Sequence, residues 1–151
     1  SNTDSNNETI KLLLNHAHID VNKQNKDGWT ALMLACRYSN NDSNNETVKL
    51  LLNHPNIDVN KQDKDGWTAL MMACRDSNTD SNNETIKLLL NHPSIDLNKQ
   101  NNKGETALMM ACKYSNTDSN HETVKLLLNH PKINVNIQDN NGNTALMMVC
   151  R

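Results

Sequence analysis

Residues 63–74 read Asp63-Lys64-Asp65-Gly66-Trp67-Thr68-Ala69-Leu70-Met71-Met72-Ala73-Cys74, and the same frame recurs at 25–36, 101–112 and 139–150. Its fixed points, Gly28, Gly66, Gly104 and Gly142 and likewise Cys36, Cys74, Cys112 and Cys150, are 38 residues apart. A period of this size marks a stack of small units, none able to bury its apolar face alone. Asp65-Gly66 carries tight-turn chemistry, and Thr68 stands where the apolar run Ala69–Cys74 needs an N-cap, as do Thr30, Thr106 and Thr144.

Between these frames lies a second apolar run, such as Glu46-Thr47-Val48-Lys49-Leu50-Leu51-Leu52-Asn53. Ser5, Ser43, Ser81 and Ser119 precede Glu8, Glu46, Glu84 and Glu122 by three positions, the pattern of a capping box, so the helices are expected to begin at the serines. They are expected to end near Asn53-His54-Pro55 and its equivalents, because Pro55, Pro93 and Pro131 cannot continue a helix; Ala17 takes that place in the first copy, where the end is expected to differ. Ile57-Asp58-Val59-Asn60 alternates as a strand does. The fold class is an all-α repeat solenoid of helix pairs with β-hairpin fingers. One domain fills 1–151, with a half repeat at 1–24, repeats at 25–62, 63–100 and 101–138, and a half repeat at 139–151.

Composition narrows the function. With 15 Lys and Arg against 17 Asp and Glu, the formal charge is -2, which offers no broad field for nucleic acid or anionic lipid. No apolar run approaches the roughly 20 residues of a membrane span, and Ser1-Asn2-Thr3-Asp4 begins no signal peptide. The expectation is a soluble, intracellular, cytoplasmic chain.

The frame Asp63–Leu70, then Met72-Ala73-Cys74, with Val48-Lys49-Leu50-Leu51-Leu52 and Asp58-Val59-Asn60, resembles the ankyrin-repeat family over the whole length. Two departures stand out. The family's Thr-Pro-Leu-His reads Thr-Ala-Leu-Met here, so Met33, Met71, Met109 and Met147 replace a hydrogen-bonding His, and softer packing is expected. The repeat also exceeds the family's usual length of about 33 residues. Most of the excess falls in the polar linker Ser39-Asn40-Asn41-Asp42-Ser43-Asn44-Asn45 and its equivalents, expected as a row of protruding loops.

Four Cys with His16, His54, His92 and His130 suggest zinc. Equivalent positions in stacked helices lie about 8–10 Å apart, too far for shared ligands at about 2 Å from one metal or for disulfides. The thiols read as small core residues of a reducing compartment, and the His as helix-end residues. Asp63-Lys64-Asp65-Gly66 and Asp139-Asn140-Asn141-Gly142 echo a calcium loop, but counting from Gly66 puts Lys61 and Met72 at ligand positions. No phosphate loop, nucleophile elbow or paired acid and base appears. The reading is no enzyme, no cofactor and no metal.

The copies differ most beside the turn glycine: Lys26, Asp27 and Trp29; Lys64, Asp65 and Trp67; Asn102, Lys103 and Glu105; Asn140, Asn141 and Asn143. The resemblance implies that such finger tips and the adjoining inner helix face bind a protein partner. Tyr38, Asp76 and Tyr114, at the end of the second helix, extend that face or else are solvated helix ends. Trp29 and Trp67 are its aromatic anchors, or else local packing between neighbouring fingers. The ends carry half repeats, which is expected either of a segment of a longer array or of a chain that stacks head to tail on itself.

Overall fold

The computed structural model describes residues 2–38, 42–75, 80–114 and 118–150, with side chains except at 2–5, 42–43, 80–81 and 118–120. Among these, eight helices occur: α1 (Asn2–Leu14), α2 (Ala31–Arg37), α3 (Asp42–Leu52), α4 (Ala69–Arg75), α5 (Asp80–Leu90), α6 (Ala107–Lys113), α7 (Asp118–Leu128) and α8 (Ala145–Val149). The short even-numbered helices pack on one another in order as an inner row, and the longer odd-numbered helices do the same as an outer row. Contacts of α2 with α3, α4 with α5 and α6 with α7 tie the rows together. No described helix is long and apolar enough to cross a membrane.

The central inner helices, α4 and α6, are apolar on nearly every side because they are covered on nearly every side, whereas α2 exposes Leu34 and α8 exposes Leu146, Met147 and Val149. In α4, all residues from Ala69 to Cys74 are buried. The outer helices bury Val48, Leu51, Ile86, Leu89 and Leu127 and expose their charged edge. There Glu46–Lys49, Glu84–Lys87 and Glu122–Lys125 approach to 4.0, 4.0 and 3.9 Å, solvated pairs that contribute little.

Thr caps hold as the sequence predicts. Thr30, Thr68, Thr106 and Thr144 Oγ1 accept from the backbone N–H three residues on, at 3.2, 3.2, 3.3 and 3.4 Å. Of the methionines that stand in place of the family's His, three are buried and Met147, on α8, is 49% exposed. Met33, Met71 and Met109 are each 1% exposed, and the Sδ atoms of Met33 and Met109 accept the Thr30 and Thr106 N–H at 3.4 Å. A thioether thereby closes the capping box, as a weak acceptor that leaves the buried N–H satisfied.

Four expectations are corrected. The outer helices start at Asp42, Asp80 and Asp118, one residue ahead of the serines, and at Asn2, ahead of Ser5, so the serines lie in the first turn. The acidic residue at the start suits the positive end of the helix dipole. Second, the polar linker is largely helix: residues 42–45 belong to α3, and only 39–41, 76–79 and 115–117 fall outside the described residues. Asn45 and Asn83, far from protruding, are buried and accept from Thr85 Oγ1 and Thr123 Oγ1 at 2.7 Å, while Asn44 donates to the Tyr38 carbonyl. Third, no strand occurs among the described residues; Asp58 and Asn60 enter a turn in which Asp58 Oδ1 accepts the Asn60 N–H at 3.0 Å. Fourth, the first copy ends its helix as the others do despite Ala17. His16 Nδ1 accepts the His18 N–H at 3.2 Å, the bond that His54 makes with Asn56, so imidazole and not proline closes the turn.

The abundance of Asn has a structural cause. The Asn60 amide accepts from Asp96 N at 2.8 Å and donates to the Ser94 carbonyl at 2.7 Å; Asn22 and Asn98 grip Asp58 and Asn56, and Asn134 and Lys132, in the same way. Gln24, Gln62 and Gln100 Nε2 each donate to a glycine carbonyl of their own finger and to the glutamine carbonyl one period on, at 2.5–3.0 Å. Only an amide has donor and acceptor placed to hold both ends of a neighbouring backbone turn.

Candidate partner-binding surface

Each finger is built from one side chain. Asp63 Oδ1 accepts the Asp65 and Trp67 N–H groups at 3.0 and 2.8 Å, and Asn25, Asn101 and Asp139 repeat this with bonds of 2.8–2.9 Å. The backbone completes the reversal, Asp63 N to the Trp67 carbonyl and Gly66 N to the Asp63 carbonyl, both 3.0 Å. At Gly66 φ is +79°, a conformation that L side chains rarely adopt.

The fingers form one row. Lys64 N donates to the Asp27 carbonyl at 3.2 Å, Asn102 N to that of Asp65 at 2.9 Å, and Asn140 N to that of Lys103 at 3.0 Å. Asn102 and Asn140 also spend their side-chain amides on the row, reaching the Lys64 and Asn102 carbonyls at 2.9 Å. Asn143 turns back onto the Asp139 carboxylate at 3.2 Å. Of the tip residues, Lys26, Asp27, Lys64, Asp65, Lys103 and Asn141 therefore present their side chains outward, and all six are exposed.

Behind the first three tips, the residue after the glycine meets the basic residue eight positions on, at the end of the inner helix. The Arg37 guanidinium lies 4.7 Å from the centre of the Trp29 ring and 5.9 Å from that of Tyr38; Arg75 lies 5.2 Å from Trp67. Both indoles are half-buried against the core. Local packing and presentation coincide here, because stacking fixes the ring and leaves part of it open. In the third copy Glu105 replaces the indole. It is buried, held by Lys113 Nζ at 3.3 Å and Asn101 Nδ2 at 3.1 Å, and Lys113 also lies 5.9 Å from the Tyr114 ring. The smaller side chains leave a groove of about 440 Å³ between the third and fourth fingers, bounded by Lys103, Glu105, Lys113, Asn141 and Met148.

The structure thus gathers Trp29 with Tyr38, and Glu105 with Tyr114, each around one cation; Asp76 lies outside the described residues. Sequence reasoning passed over those cations. Arg37, Arg75 and Lys113 recur with the 38-residue period, and the change from Arg to Lys coincides with the change from Trp to Glu.

The thiols face the other way. Cys36 and Cys74 are buried, and burial drives their pKa far above the usual thiol range, with Cys36 and Cys112 adding to the rise at Cys74; burial raises Cys112 as well. Such groups are poor nucleophiles and poor ligands. Among the described residues no three His, Cys, Asp or Glu side chains converge as a metal site.

The family described as ankyrin repeats (3 copies) matches residues 2–101, 39–119 and 77–151. Among solved structures, the crystal structure of EF0377, an ankyrin repeat protein, superposes with a TM-score of 0.78 at 24% identity, covering 97% of this chain and 67% of that one; the likeness is one of fold. No curated protein matches the chain.

Proposed function

Since the chain belongs to the ankyrin-repeat family, whose members generally mediate protein–protein interaction, we propose that it is a non-enzymatic scaffold binding one protein partner across the finger tips and the adjoining ends of the inner helices. The observation that carries this reading is the pair of half-open stacks, Trp29 on Arg37 with Tyr38 and Trp67 on Arg75, on the face where the copies differ. Pinned aromatic and guanidinium groups bind at little entropic cost, and such residues dominate interfaces. Lys26, Asp27, Lys64, Asp65, Lys103 and Asn141 form the polar rim. Asn102, Asn140, Asn143 and Glu105 shape the row rather than touch the partner.

The test is affinity capture of the partner with the natural chain and with Trp29→Ala/Trp67→Ala, matched for helicity. Loss of roughly 30-fold in affinity or more supports the reading, from about 2 kcal/mol for one lost anchor. An undiminished partner places recognition elsewhere.

A further inference from the structure

The fourth finger carries a dipeptide that the other three lack. Asn141-Gly142 is the one Asn-Gly pair of the sequence; the equivalent positions read Asp27-Gly28, Asp65-Gly66 and Lys103-Gly104. Chemistry sets this pair apart. The backbone nitrogen that follows an asparagine can attack its side-chain amide, and glycine, with no side chain, leaves that nitrogen open to the approach.

The reaction needs no group beyond solvent water. The Gly142 nitrogen bonds to Asn141 Cγ, the Cγ–Nδ2 bond breaks, and ammonia leaves with the Gly142 amide proton, so that a five-membered succinimide remains. Water then opens the ring. Entry at Cγ breaks its new bond to nitrogen and gives aspartate. Entry at the backbone carbonyl carbon breaks the original peptide bond and gives isoaspartate, whose main chain runs through an extra methylene.

Elsewhere the fold holds its asparagines against such a change. Asn60 and Asn98 grip the next copy with both ends of the amide, and Asn45 and Asn83 are buried. At the tips, Asn102 and Asn140 spend their amides on carbonyls of the preceding finger. Asn141 is exposed, and among the described residues its side-chain amide has no hydrogen bond. Its place in the last finger is not the cause, because Asp27, Asp65 and Lys103 at the equivalent positions are exposed as well.

The finger both restrains the reaction and distinguishes its products. Gly142 N donates to the Asp139 carbonyl at 2.9 Å, so it reaches Cγ only when the tip opens. Aspartate at 141 lets the finger close again, as Asp27 and Asp65 stand in the same turn of the first two copies. Isoaspartate lengthens the main chain ahead of Gly142. The bonds of Gly142 N to the Asp139 carbonyl and of Asn143 N to Asp139 Oδ1, 2.9 and 2.8 Å, then lose their register. We propose that Asn141 is a deamidation site of the folded chain, at which the finger keeps the aspartyl product and is broken by the isoaspartyl one. The proposal stands apart from partner binding, although the product adds a carboxylate to the groove bounded by Lys103 and Lys113.

The natural chain, kept folded in warm, mildly alkaline buffer and then digested in mild acid, tests this by peptide mass spectrometry with chromatographic separation of the two products. The mass gain of an amide turned to an acid should appear at Asn141 ahead of every other asparagine. Asn141→Gln, whose longer side chain closes a ring poorly, should abolish that gain. In urea the conversion should run about tenfold faster, for the lost hydrogen bond at Gly142 N. The purified aspartyl form should unfold at the urea midpoint of Asn141→Asp, and the isoaspartyl form at a lower one. A mass gain that appears first at another asparagine, or a folded chain that stays intact while the unfolded chain reacts, overturns the site. Equal midpoints for the two products overturn the part assigned to the finger.

Discussion

The finger row can be weighed by one pair of substitutions. Gly66 and Gly142 have φ of +79° and +80°, so alanine at either should cost about 1 kcal/mol for the left-handed backbone. At Gly142 that is nearly the whole cost, since the new Cβ meets nothing closer than Gln138 Nε2 at 3.8 Å. At Gly66 the Cβ would stand 2.8 Å from Asn102 N and 2.9 Å from Asn101 Cα. Both are backbone atoms, so the third finger must withdraw. Withdrawal threatens Asn102 N to the Asp65 carbonyl and Asn102 Nδ2 to the Lys64 carbonyl, each 2.9 Å and each worth about 1 kcal/mol. Gly66→Ala should therefore destabilise by about 3 kcal/mol and Gly142→Ala by about 1 kcal/mol. Urea unfolding of dilute protein, read by far-ultraviolet circular dichroism with equal slopes, measures the difference. Equal losses would refute the claim that close approach of neighbouring fingers, rather than backbone conformation, makes glycine necessary.

Asn60→Ala should cost about 2 kcal/mol, two bridging hydrogen bonds, whereas Asn136→Ala should leave the stability of the monomer within about 0.5 kcal/mol in the same unfolding assay. Glu105→Trp combined with Lys113→Arg installs the pairing of the first two copies and should preserve cooperative unfolding; Lys113→Ala alone, which strips a buried carboxylate of its cation, should lower the urea midpoint. In the native chain a thiol reagent should modify exposed Cys150 first and reach Cys36 and Cys74 only on unfolding. Burial raises the pKa of Cys36 and Cys74 in the folded state, so they ionise more readily when unfolded: their contribution is complete below the ordinary thiol value of about 8.5 and is lost as pH rises above it. Unfolding midpoints at successive pH values in the alkaline range should fall for the natural chain and fall less for Cys36→Ala/Cys74→Ala.

Features that depend on neighbours in the chain were legible from sequence. Thr68 caps Ala69, Gly66 reverses the finger, and the 38-residue spacing implies the stack, because each acts within a few residues or through simple repetition. Features that depend on the next copy were not. Asn60 reads as a turn residue until its partners, 34 and 36 residues on, are known. The polar stretch Asp42–Asn45 looks like linker by composition, yet it extends the outer helix and buries Asn45 where a Thr hydroxyl waits. The surface was half visible. Variation marked Trp29, Trp67 and Glu105, but the cation opposite each is constant in charge, so a search for differences could not find it. Met33 misled for another reason: a thioether is ordinarily counted as apolar filler, and here its sulfur meets a backbone N–H.

The grips of Asn22, Asn60 and Asn98 and of Gln24, Gln62 and Gln100 point one way, from the side chain of one copy to the backbone of the next, between equivalent positions of every copy. Removing any complete 38-residue block joins an upstream grip to a backbone it already fits, whereas removing part of a block leaves it facing the wrong atoms. Recombination between near-identical coding segments can therefore lengthen or shorten such an array without loss of fit. Over generations its length is free to drift while its phase is not.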